Sequence, residues 1–347
     1  WKRSIVVPVP KKSPPTIDQL RPISLTDHFA KLAELFIYRQ LLADIEPNID
    51  PQQYGSRRGN STAHYLVNLL HFLHTNADQL QTVSTIVVTD FSKAFDLVNH
   101  NIAINKLFAM GARPSLLPLI SSFLHGREQM TRYNGVLSSS LTPVGGVPQG
   151  TRLGPAIFLA LINDALTDAA GISRWKYVDD ITFAESRRRG SCNMMPSTLT
   201  LFHQWCLDNG LRINSSKCKS MRVSFSRTEL PPLHLELDDT TLQEVKELKL
   251  LGVILQHNLR WDSHVRDITG RVSRKFYIIR ALKRYRAPVE DLLTIYTCYI
   301  RPVLEYCVPV WNSSITSEQA NDIERVQRRA LRIIFHDRYH SYEHALQ

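Results

Sequence analysis

The sequence contains little cysteine and no long apolar run. Its five cysteines are odd in number and widely spaced across 347 residues, and no two form a Cys-x-x-Cys pair. This pattern argues against a disulfide framework or a zinc ribbon, and it fits a reducing compartment. No segment approaches the roughly 20 uncharged apolar residues that span a bilayer, so we expect no membrane partner.

The N-terminus also lacks two familiar features. The chain opens on Trp1 rather than methionine, and no charged segment followed by an apolar one forms a secretory leader. Internal repeats and low-complexity tracts are not visible either. We therefore expect this chain to be a segment of a longer polypeptide.

The composition that is present is globular and basic. Hydrophobic residues make up 43% and charged residues 21%, which excludes a disordered or fibrous chain. At about 150 residues per domain, the length predicts about two domains. The net charge of +10 favours a polyanionic partner, nucleic acid before a membrane surface, although a merely basic globule would share it.

Most of the excess positive charge lies between residues 266 and 286, where the local charge is +7. Tyr277 and Tyr285 interleave with the basic residues, as is typical of helices that follow a phosphate backbone and stack on bases. A solvated face over an apolar stripe would give the same pattern. The predicted nucleic-acid-binding residues are Arg271, Arg274, Lys275, Arg280, Lys283 and Arg284.

Hydrophobic spacing predicts an α+β fold built on an antiparallel sheet. The first 25 residues are extended and rich in proline, a helix begins near Thr26 with Thr26 or Asp27 as its N-cap, and a second helix covers about 61–76. A buried strand over 84–88 ends in Thr89-Asp90, and Ser92 could cap a following helix. Further helices are expected at about 156–168 and 195–209, and only helices after residue 255.

Three acids stand out by their position. Asp90 ends an apolar strand, and Asp179-Asp180 occupies a tight hairpin turn between two β-prone runs. Carboxylates at the ends of buried strands cost free energy unless they are paired or bound to metal, and all-oxygen ligands favour Mg²⁺. An Asp-Asp turn alone is common, however, because Asp is frequent in turns.

Three segments that contain these acids or lie between them occur in a telling order. They read Thr89-Asp90-Phe91-Ser92-Lys93-Ala94-Phe95-Asp96, Gly146-Val147-Pro148-Gln149-Gly150-Thr151-Arg152-Leu153-Gly154-Pro155 and Tyr177-Val178-Asp179-Asp180. In this order they resemble palm motifs A, B and C of reverse transcriptases, nearest those of non-LTR (LINE-type) retrotransposons. Segments 20–25 and 53–62 resemble the fingers motifs, 210–217 resembles motif D, and 248–255 resembles the primer grip.

The resemblance implies a right-hand polymerase, with fingers and palm over 1–245 and a primer grip and helical thumb over 246–347. Its implied activity is RNA-directed DNA synthesis from dNTPs, with an RNA template and a DNA primer or target as partners. Other polyprotein domains, such as an endonuclease, would lie outside this segment. The implied location is the nucleus, with a cytoplasmic ribonucleoprotein stage.

The resemblance also implies the catalytic groups. Asp90, Asp179, Asp180 and the carbonyl of Phe91 would hold two Mg²⁺ ions, for which Mn²⁺ could substitute. The primer 3′-hydroxyl would then attack the α-phosphate of a dNTP and release pyrophosphate. Lys217 resembles the motif D lysine that would protonate the pyrophosphate, with Lys219 as its competitor.

Nucleotide-binding roles follow in the same way. Phe95 stands where the family has the aromatic gate against a 2′-hydroxyl. Gln149 and Gly150 would lie against the incoming nucleotide and the template base. Arg21, together with Lys11 or Lys12, resembles the fingers cations that clamp the triphosphate.

Three other interpretations stay open at this point. A catalytically inactive, retroelement-derived nucleic-acid-binding protein would not need carboxylates that face a polyanion. An RNA-dependent RNA polymerase is disfavoured by Phe95 and by Val178, where such enzymes usually carry Gly. An intron-encoded or telomerase-like reverse transcriptase would share the same chemistry. One departure from the motif, Thr151-Arg152 in place of Ser and an aliphatic residue, keeps the hydroxyl.

Overall fold

The computed structural model describes residues 2–226 and 230–346. These residues form thirteen strands and twelve α-helices. The strands are β1 (Arg3–Pro10), β2 (Leu20–Leu25), β3 (Thr82–Thr89), β4 (Glu128–Tyr133), β5 (Val136–Leu137), β6 (Ile172–Tyr177), β7 (Asp180–Arg188), β8 (Lys219–Val223), β9 (Glu236–Leu237), β10 (Thr240–Thr241), β11 (Gln243–Glu244), β12 (Glu247–Leu250) and β13 (Val253–Gln256). The helices are α1 (His28–Ile45), α2 (Thr62–Ala77), α3 (His100–Ala109), α4 (Leu117–Leu124), α5 (Leu153–Ile162), α6 (Met195–Asp208), α7 (Asp262–Arg284), α8 (Val289–Ile295), α9 (Arg301–Glu305), α10 (Val308–Trp311), α11 (Ser317–Phe335) and α12 (Tyr342–Leu346). The predicted α+β class is confirmed.

The described residues divide into two compact units whose chain segments alternate. One contains residues 2–61, 85–220 and 230–244, and the other contains 62–84, 221–226 and 245–346. Helix α2 therefore belongs with the C-terminal helices. The assignment of fingers and palm to 1–245 and of thumb to 246–347 stays a prediction.

The first unit opens with a sheet in the order β2-β1-β4-β5. The predicted extended segment forms the antiparallel pair β1–β2, in which Pro8 lies opposite Pro22. Strand β4 pairs in parallel with Arg3–Val6 only, so the missing N–H of Pro8 does not interrupt that ladder. The same register places Arg21 across from Val9, next to the loop that begins at Lys11.

A second sheet, in the order β11-β8-β3-β7-β6, carries the acids. Strands β6 and β7 form the predicted hairpin, with Tyr177 opposite Asp180. The sheet is not purely antiparallel as predicted, because β11 joins β8 in parallel. Since β3 and β7 are neighbours, the end of β3 at Thr89 reaches the start of β7, where the Thr89 hydroxyl donates to the Ile181 carbonyl over 2.9 Å.

The core of this unit centres on α5, whose apolar side chains other than Pro155 are all buried. Helix α5 ends at Ile162, earlier than the predicted 168. Helix α1 starts where predicted, capped by Asp27, whose carboxylate accepts from the Phe29 N–H over 2.8 Å. Its apolar spacing does not mark a buried side, because Phe29 is 83% and Phe36 is 59% exposed.

The chain after Asp90 differs from the prediction. Ser92 caps no helix, because Lys93 adopts a positive φ of 51° and the following residues turn, with the Asp96 N–H donating to the Lys93 carbonyl. Helix α3 begins at His100, capped instead by Asn99. This turning segment carries Phe95 past the end of β3.

The second unit is helical after β13, as predicted, within the described residues. Helix α7 buries Val265, Ile268, Val272, Phe276 and Ile279 along one side. The β12–β13 hairpin is fixed by the Tyr306 hydroxyl, which donates to the Leu251 carbonyl over 2.8 Å. Within the described part of the chain, no helix combines the length and the apolar character needed to cross a membrane.

Candidate active site

The site begins at Asp90, which directly follows β3. Its backbone is held on both sides, because its N–H donates to Cys218 Sγ over 3.4 Å and its carbonyl accepts from the Asn214 N–H over 2.8 Å. Cys218 and Asn214 were not predicted. Both act through the Asp90 backbone, so their side-chain types alone give little signal in the sequence.

Asp179 and Asp180 lie in the β6–β7 turn. The turn is made by Val178, which takes a left-handed φ of 57°. A β-branched residue rarely adopts this conformation. Since Asp180 already pairs with Tyr177 as the first residue of β7, the turn is tight and both acids face the end of β3.

The two turn acids lie near enough to each other and to Asp90 for their negative charges to interact. Burial raises the pKa of Asp180 to about 6, and the negative charges of Asp179 and Asp90 add to the shift. Burial likewise raises the pKa of Asp179, with Asp90 again contributing. The structure therefore brings together the three acids that the sequence singled out.

Two predicted cations also reach this site. The positive charges of Arg21 and Lys11 oppose the rise in the pKa of Asp179. Arg21 lies on β2, and the Lys11 N–H donates to the Gln19 carbonyl over 2.9 Å at the end of the same hairpin. The β1–β2 hairpin thus places two cations within electrostatic reach of Asp179.

Lys217 lies in the short turn before β8. It follows Asp90 in the chain, whereas Lys11 and Arg21 precede it. Its Nζ is 3.1 Å from Asp90 Oδ2, and its side chain is 67% exposed. The predicted competitor Lys219 is the first residue of β8, and the structure pairs it with Gln243 of β11.

The acidic residues fit a divalent cation by their chemistry. Among the described residues, no three acidic, histidine or cysteine groups are already gathered at the distances of metal ligands. Yet the site has three carboxylates: burial and neighbouring negative charge raise the pKa of Asp179 and Asp180, and Asp90 is paired with a lysine. Together they form an all-oxygen donor set that suits a hard cation. The Phe91 carbonyl stays a predicted further ligand. The backbone hydrogen bonds on either side of the Phe91–Ile213 bridge use the carbonyls of Asp90 and Arg212.

The segment that contains Phe95 is hydrogen-bonded to the loop that contains Gln149. The Phe95 ring stacks on Phe158 with centroids 4.6 Å apart, which fixes its position. The Phe95 carbonyl accepts from Val147, two residues before Gln149, over 2.8 Å. Gln149 in turn donates from Nε2 to Asp96 over 3.2 Å, and its carbonyl accepts from the Ser24 N–H over 2.7 Å.

Gly150 lies where a side chain would not fit easily. Its φ is +103°, and a Cβ would come 3.1 Å from the Ser24 carbonyl. The glycine thus allows the Gln149 loop to approach β2, the strand that carries Arg21.

The predicted nucleic-acid-binding residues of α7 do not all face solvent. Arg274, Arg280 and Arg284 are exposed, and Arg271 lies 3.6 Å from Asp267. Lys275 donates to the Tyr299 carbonyl over 3.1 Å, and Lys283 donates to the Ile333 carbonyl over 2.5 Å at the end of α11. These two lysines therefore have structural roles within the second unit.

Comparison with protein families identifies one match over most of the chain. The profile of the family "Reverse transcriptase (RNA-dependent DNA polymerase)" matches residues 9–255. This range contains every predicted site residue outside α7.

Curated relatives agree with this match. The chain is 25% identical over 348 residues to a "Probable RNA-directed DNA polymerase from transposon X-element" of Drosophila melanogaster, covering 96% of this chain and 38% of the relative. It is 26% identical to the "RNA-directed DNA polymerase from mobile element jockey" of Drosophila funebris, covering 95% of this chain and 37% of that protein. The chain thus spans well under half the length of these relatives.

Among solved structures, the chain resembles telomerases. Telomerase from Candida tropicalis in complex with a fragment of telomeric RNA aligns with a TM-score of 0.55 at 10% identity, over 96% of this chain and 58% of that one. Apo telomerase from the same organism aligns with a TM-score of 0.53 at 10% identity, over 96% and 62%. This likeness concerns the fold alone.

Proposed function

This chain belongs to the reverse transcriptase family, and we propose that it is the polymerase core of a non-LTR retrotransposon protein. In this proposal it extends a primer 3′-hydroxyl with dNTPs on an RNA template. The observation that carries it is the meeting of Asp90, Asp179 and Asp180 under the cations Lys11 and Arg21. Pure nucleic-acid binding would not need acids that face a polyanion.

Asp90, Asp179, Asp180 and the Phe91 carbonyl would hold the divalent cations, Mg²⁺ with Mn²⁺ as a substitute, which when bound activate the attacking oxygen and neutralise phosphate charge. The primer 3′-hydroxyl loses its proton to solvent as its oxygen forms the new bond to the α-phosphorus, and the bond from that phosphorus to pyrophosphate breaks. The site's role is to align these atoms and to exclude other geometries.

The basic side chains of the site contact the triphosphate and the pyrophosphate that leaves. Arg21 and Lys11 bind the triphosphate, a role supported by their electrostatic reach to Asp179. Lys217 gives its proton to the leaving pyrophosphate. This role is supported by the 3.1 Å contact between Lys217 Nζ and the Asp90 carboxylate, which places the ammonium group beside the acidic residues.

Phe95 and the motif B residues Gln149 and Gly150 select the sugar and the base of the incoming nucleotide. Phe95, held by its stack on Phe158, excludes a 2′-hydroxyl. Gln149 and Gly150 lie against the nucleotide and the template base, a role supported by the bonds that tie this loop to β2 and to Asp96.

The second unit grips the template–primer duplex in this proposal. The exposed Arg274, Arg280 and Arg284, with Arg271 beside them, are spaced along α7 and contact phosphates. Lys275 and Lys283 take part through the structure of the unit rather than by direct contact.

The activity, partners and location of the whole protein are part of the proposal, because its relatives are more than twice as long as this chain. We propose that a longer polyprotein supplies further domains, such as an endonuclease for the DNA target. It would act in the nucleus after a cytoplasmic ribonucleoprotein stage. Residues 1–245 would serve as fingers and palm, and 246–347 as primer grip and thumb.

The proposal is tested by primer extension on an RNA template with Mg²⁺, comparing dNTPs with rNTPs. We expect extension with dNTPs and little or none with rNTPs. Extension with rNTPs alone would contradict the role of Phe95 and indicate an RNA polymerase. Tight binding of the template–primer without any extension would indicate an inactive nucleic-acid-binding protein.

A further inference from the structure

Segment 50–55 lies along the outer edge of the catalytic hairpin. The Lys176 N–H donates to the Gln52 carbonyl over 2.9 Å, and the Tyr54 N–H donates to the Lys176 carbonyl over 2.8 Å. These bonds form a parallel bridge between Gln53 and Lys176 on β6, which is the last strand of its sheet. The segment therefore continues the sheet past the strand that leads into the acidic turn.

Gln53 reaches from this segment to the turn itself. Its side chain is fully buried, and its Oε1 accepts from the Val178 N–H over 3.3 Å and from the Gly55 N–H over 2.8 Å. Val178 is the residue with the left-handed φ of 57°. Because a β-branched residue does not adopt this conformation by itself, something in the surroundings must stabilise it, and the Gln53 amide is in direct contact with it.

Gly55 packs directly against the backbone of the same turn. A Cβ at this position would lie 2.4 Å from the Val178 nitrogen and 2.9 Å from the Tyr177 carbonyl carbon, so there is room only for hydrogen. Both neighbours are backbone atoms, which cannot rotate away. Any side chain here would displace the turn that carries Asp179.

The segment is anchored so that it cannot slide along β6. The buried Asp50 carboxylate accepts from Arg174 over 2.8 and 3.0 Å and pairs with Lys176 Nζ at 2.8 Å. Asn163, after α5, accepts from the Asp50 N–H over 2.8 Å and from Lys176 Nζ over 2.6 Å. The ion pairs are buried, so they fix the register of segment 50–55 against β6.

We propose that Gln53 and Gly55 are positioning residues, which set the conformation of Val178 and thereby aim the carboxylates of Asp179 and Asp180. Neither residue touches the reacting atoms. The proposal rests on the proposed function, because the acids that it positions are those of the polymerase site.

The test replaces the Gln53 amide by a thioether, Gln53→Met, with Gln52→Met as the matched control. The Gln52 side chain contacts the Tyr54 hydroxyl and not the turn. For Gln53→Met we expect kcat for single-nucleotide addition to fall by about 100-fold, as for a small displacement of catalytic groups. The KM for dNTP and the Kd for template–primer should stay near the wild-type values, as should all constants of Gln52→Met.

A second readout does not depend on turnover. Mn²⁺ binding, followed by electron paramagnetic resonance, should weaken about tenfold in Gln53→Met, because misaimed carboxylates bind the ion less well. Gly55→Ala should produce the same pair of effects by steric displacement. Thermal unfolding of each variant shows whether the fold is kept.

The outcomes separate this inference from the proposed function. An inactive wild-type protein would contradict the proposed function, whereas an active wild type with Gln53→Met equal to Gln52→Met would overturn the positioning role alone. A rise in KM with unchanged kcat would overturn it as well. Unfolding of both Gln53→Met and Gly55→Ala would also do so, because these residues would then hold the fold rather than the turn.

Discussion

At the scale of single residues, the site consists of three acids whose negative charges repel one another unless a cation binds between them. Asp90, Asp179 and Asp180 could be predicted from their order and from their positions at strand ends. Asn214, Cys218 and Gln53 could not, because they act on backbone N–H and carbonyl groups of the acidic segments. A contact to a backbone group leaves no charge pattern in the sequence.

The repulsion predicts a pH dependence of stability in the absence of divalent ions. The folded-state pKa of Asp180 is about 6, above its ordinary value of 3.8, so the folded protein binds more protons than the unfolded chain between these pH values. Stability is therefore lost as the pH rises through this window. Asp180→Asn should remove this loss and exceed wild type in free energy of unfolding by roughly 2 kcal/mol at pH 7.

Urea denaturation in EDTA from pH 4 to pH 7 measures this difference. Asp239→Asn, in the exposed β9–β10 turn, is the control, and its difference from wild type should not change with pH. A constant difference between Asp180→Asn and wild type across the range would contradict the account of the site's electrostatics.

Phe95 gives a second prediction at this scale. Phe95→Val removes the ring that stacks on Phe158, so a 2′-hydroxyl should be admitted. We expect the ratio of kcat/KM for dNTP to that for rNTP to fall by about tenfold or more. Phe108→Val, on the exposed side of α3, is the control and should leave the ratio unchanged. An unchanged ratio in Phe95→Val would assign sugar selection to another group.

At the scale of elements, hydrophobic spacing predicts which segments form helices and strands better than it predicts which side is buried. The five buried residues of α2 follow its apolar spacing, whereas α1 exposes Phe29 and Phe36 and buries Glu34. Glu34 is buried because its carboxylate accepts from the Arg152 N–H over 2.8 Å. That contact joins residues far apart in the chain, so local periodicity carries no sign of it.

The buried ion pair between Asp50 and Lys176 connects segment 50–55 to β6. Hydrophobic periodicity gives no sign that these two segments are in contact. Asp50→Asn would leave the Lys176 ammonium, which is fully buried, without a counter-ion. We expect a loss of about 3–5 kcal/mol in the free energy of unfolding. Adding Lys176→Met to that variant should restore part of it, and urea denaturation of the single and double variants measures both. Full additivity of the two substitutions would contradict the pairing.

The basic helix α7 gives a prediction with an internal control. Arg280 is exposed, whereas the neighbouring Lys283 donates to the last carbonyls of α11. Arg280→Gln should lower the slope of log Kd against log salt for template–primer by about 1. Lys283→Gln should leave the slope nearly unchanged and lower the melting temperature. If both slopes stay at the wild-type value, α7 does not contact the duplex.

At the scale of the whole molecule, the acidic residues of the site and the basic residues proposed to bind nucleic acid belong to different units. The acids lie in one unit, and the exposed arginines of α7 lie in the other. The sequence predicts this division from the cluster between 266 and 286, but it does not predict that the two units alternate along the chain. Helix α2 belongs to the C-terminal unit, where its Thr62 hydroxyl lies 3.1 Å from the Tyr306 hydroxyl, and this contact between distant segments leaves no local pattern in the sequence.

The proposed function assigns DNA synthesis on an RNA template to the carboxylates of Asp90, Asp179 and Asp180. It is tested by the rate of dNTP addition to a primer on an RNA template, in wild type, Asp179→Asn and the turn control Asp239→Asn. We predict wild-type rates for Asp239→Asn and a loss of about 1,000-fold or more for Asp179→Asn, since the acids supply transition-state stabilisation. Equal rates in all three proteins would contradict the account.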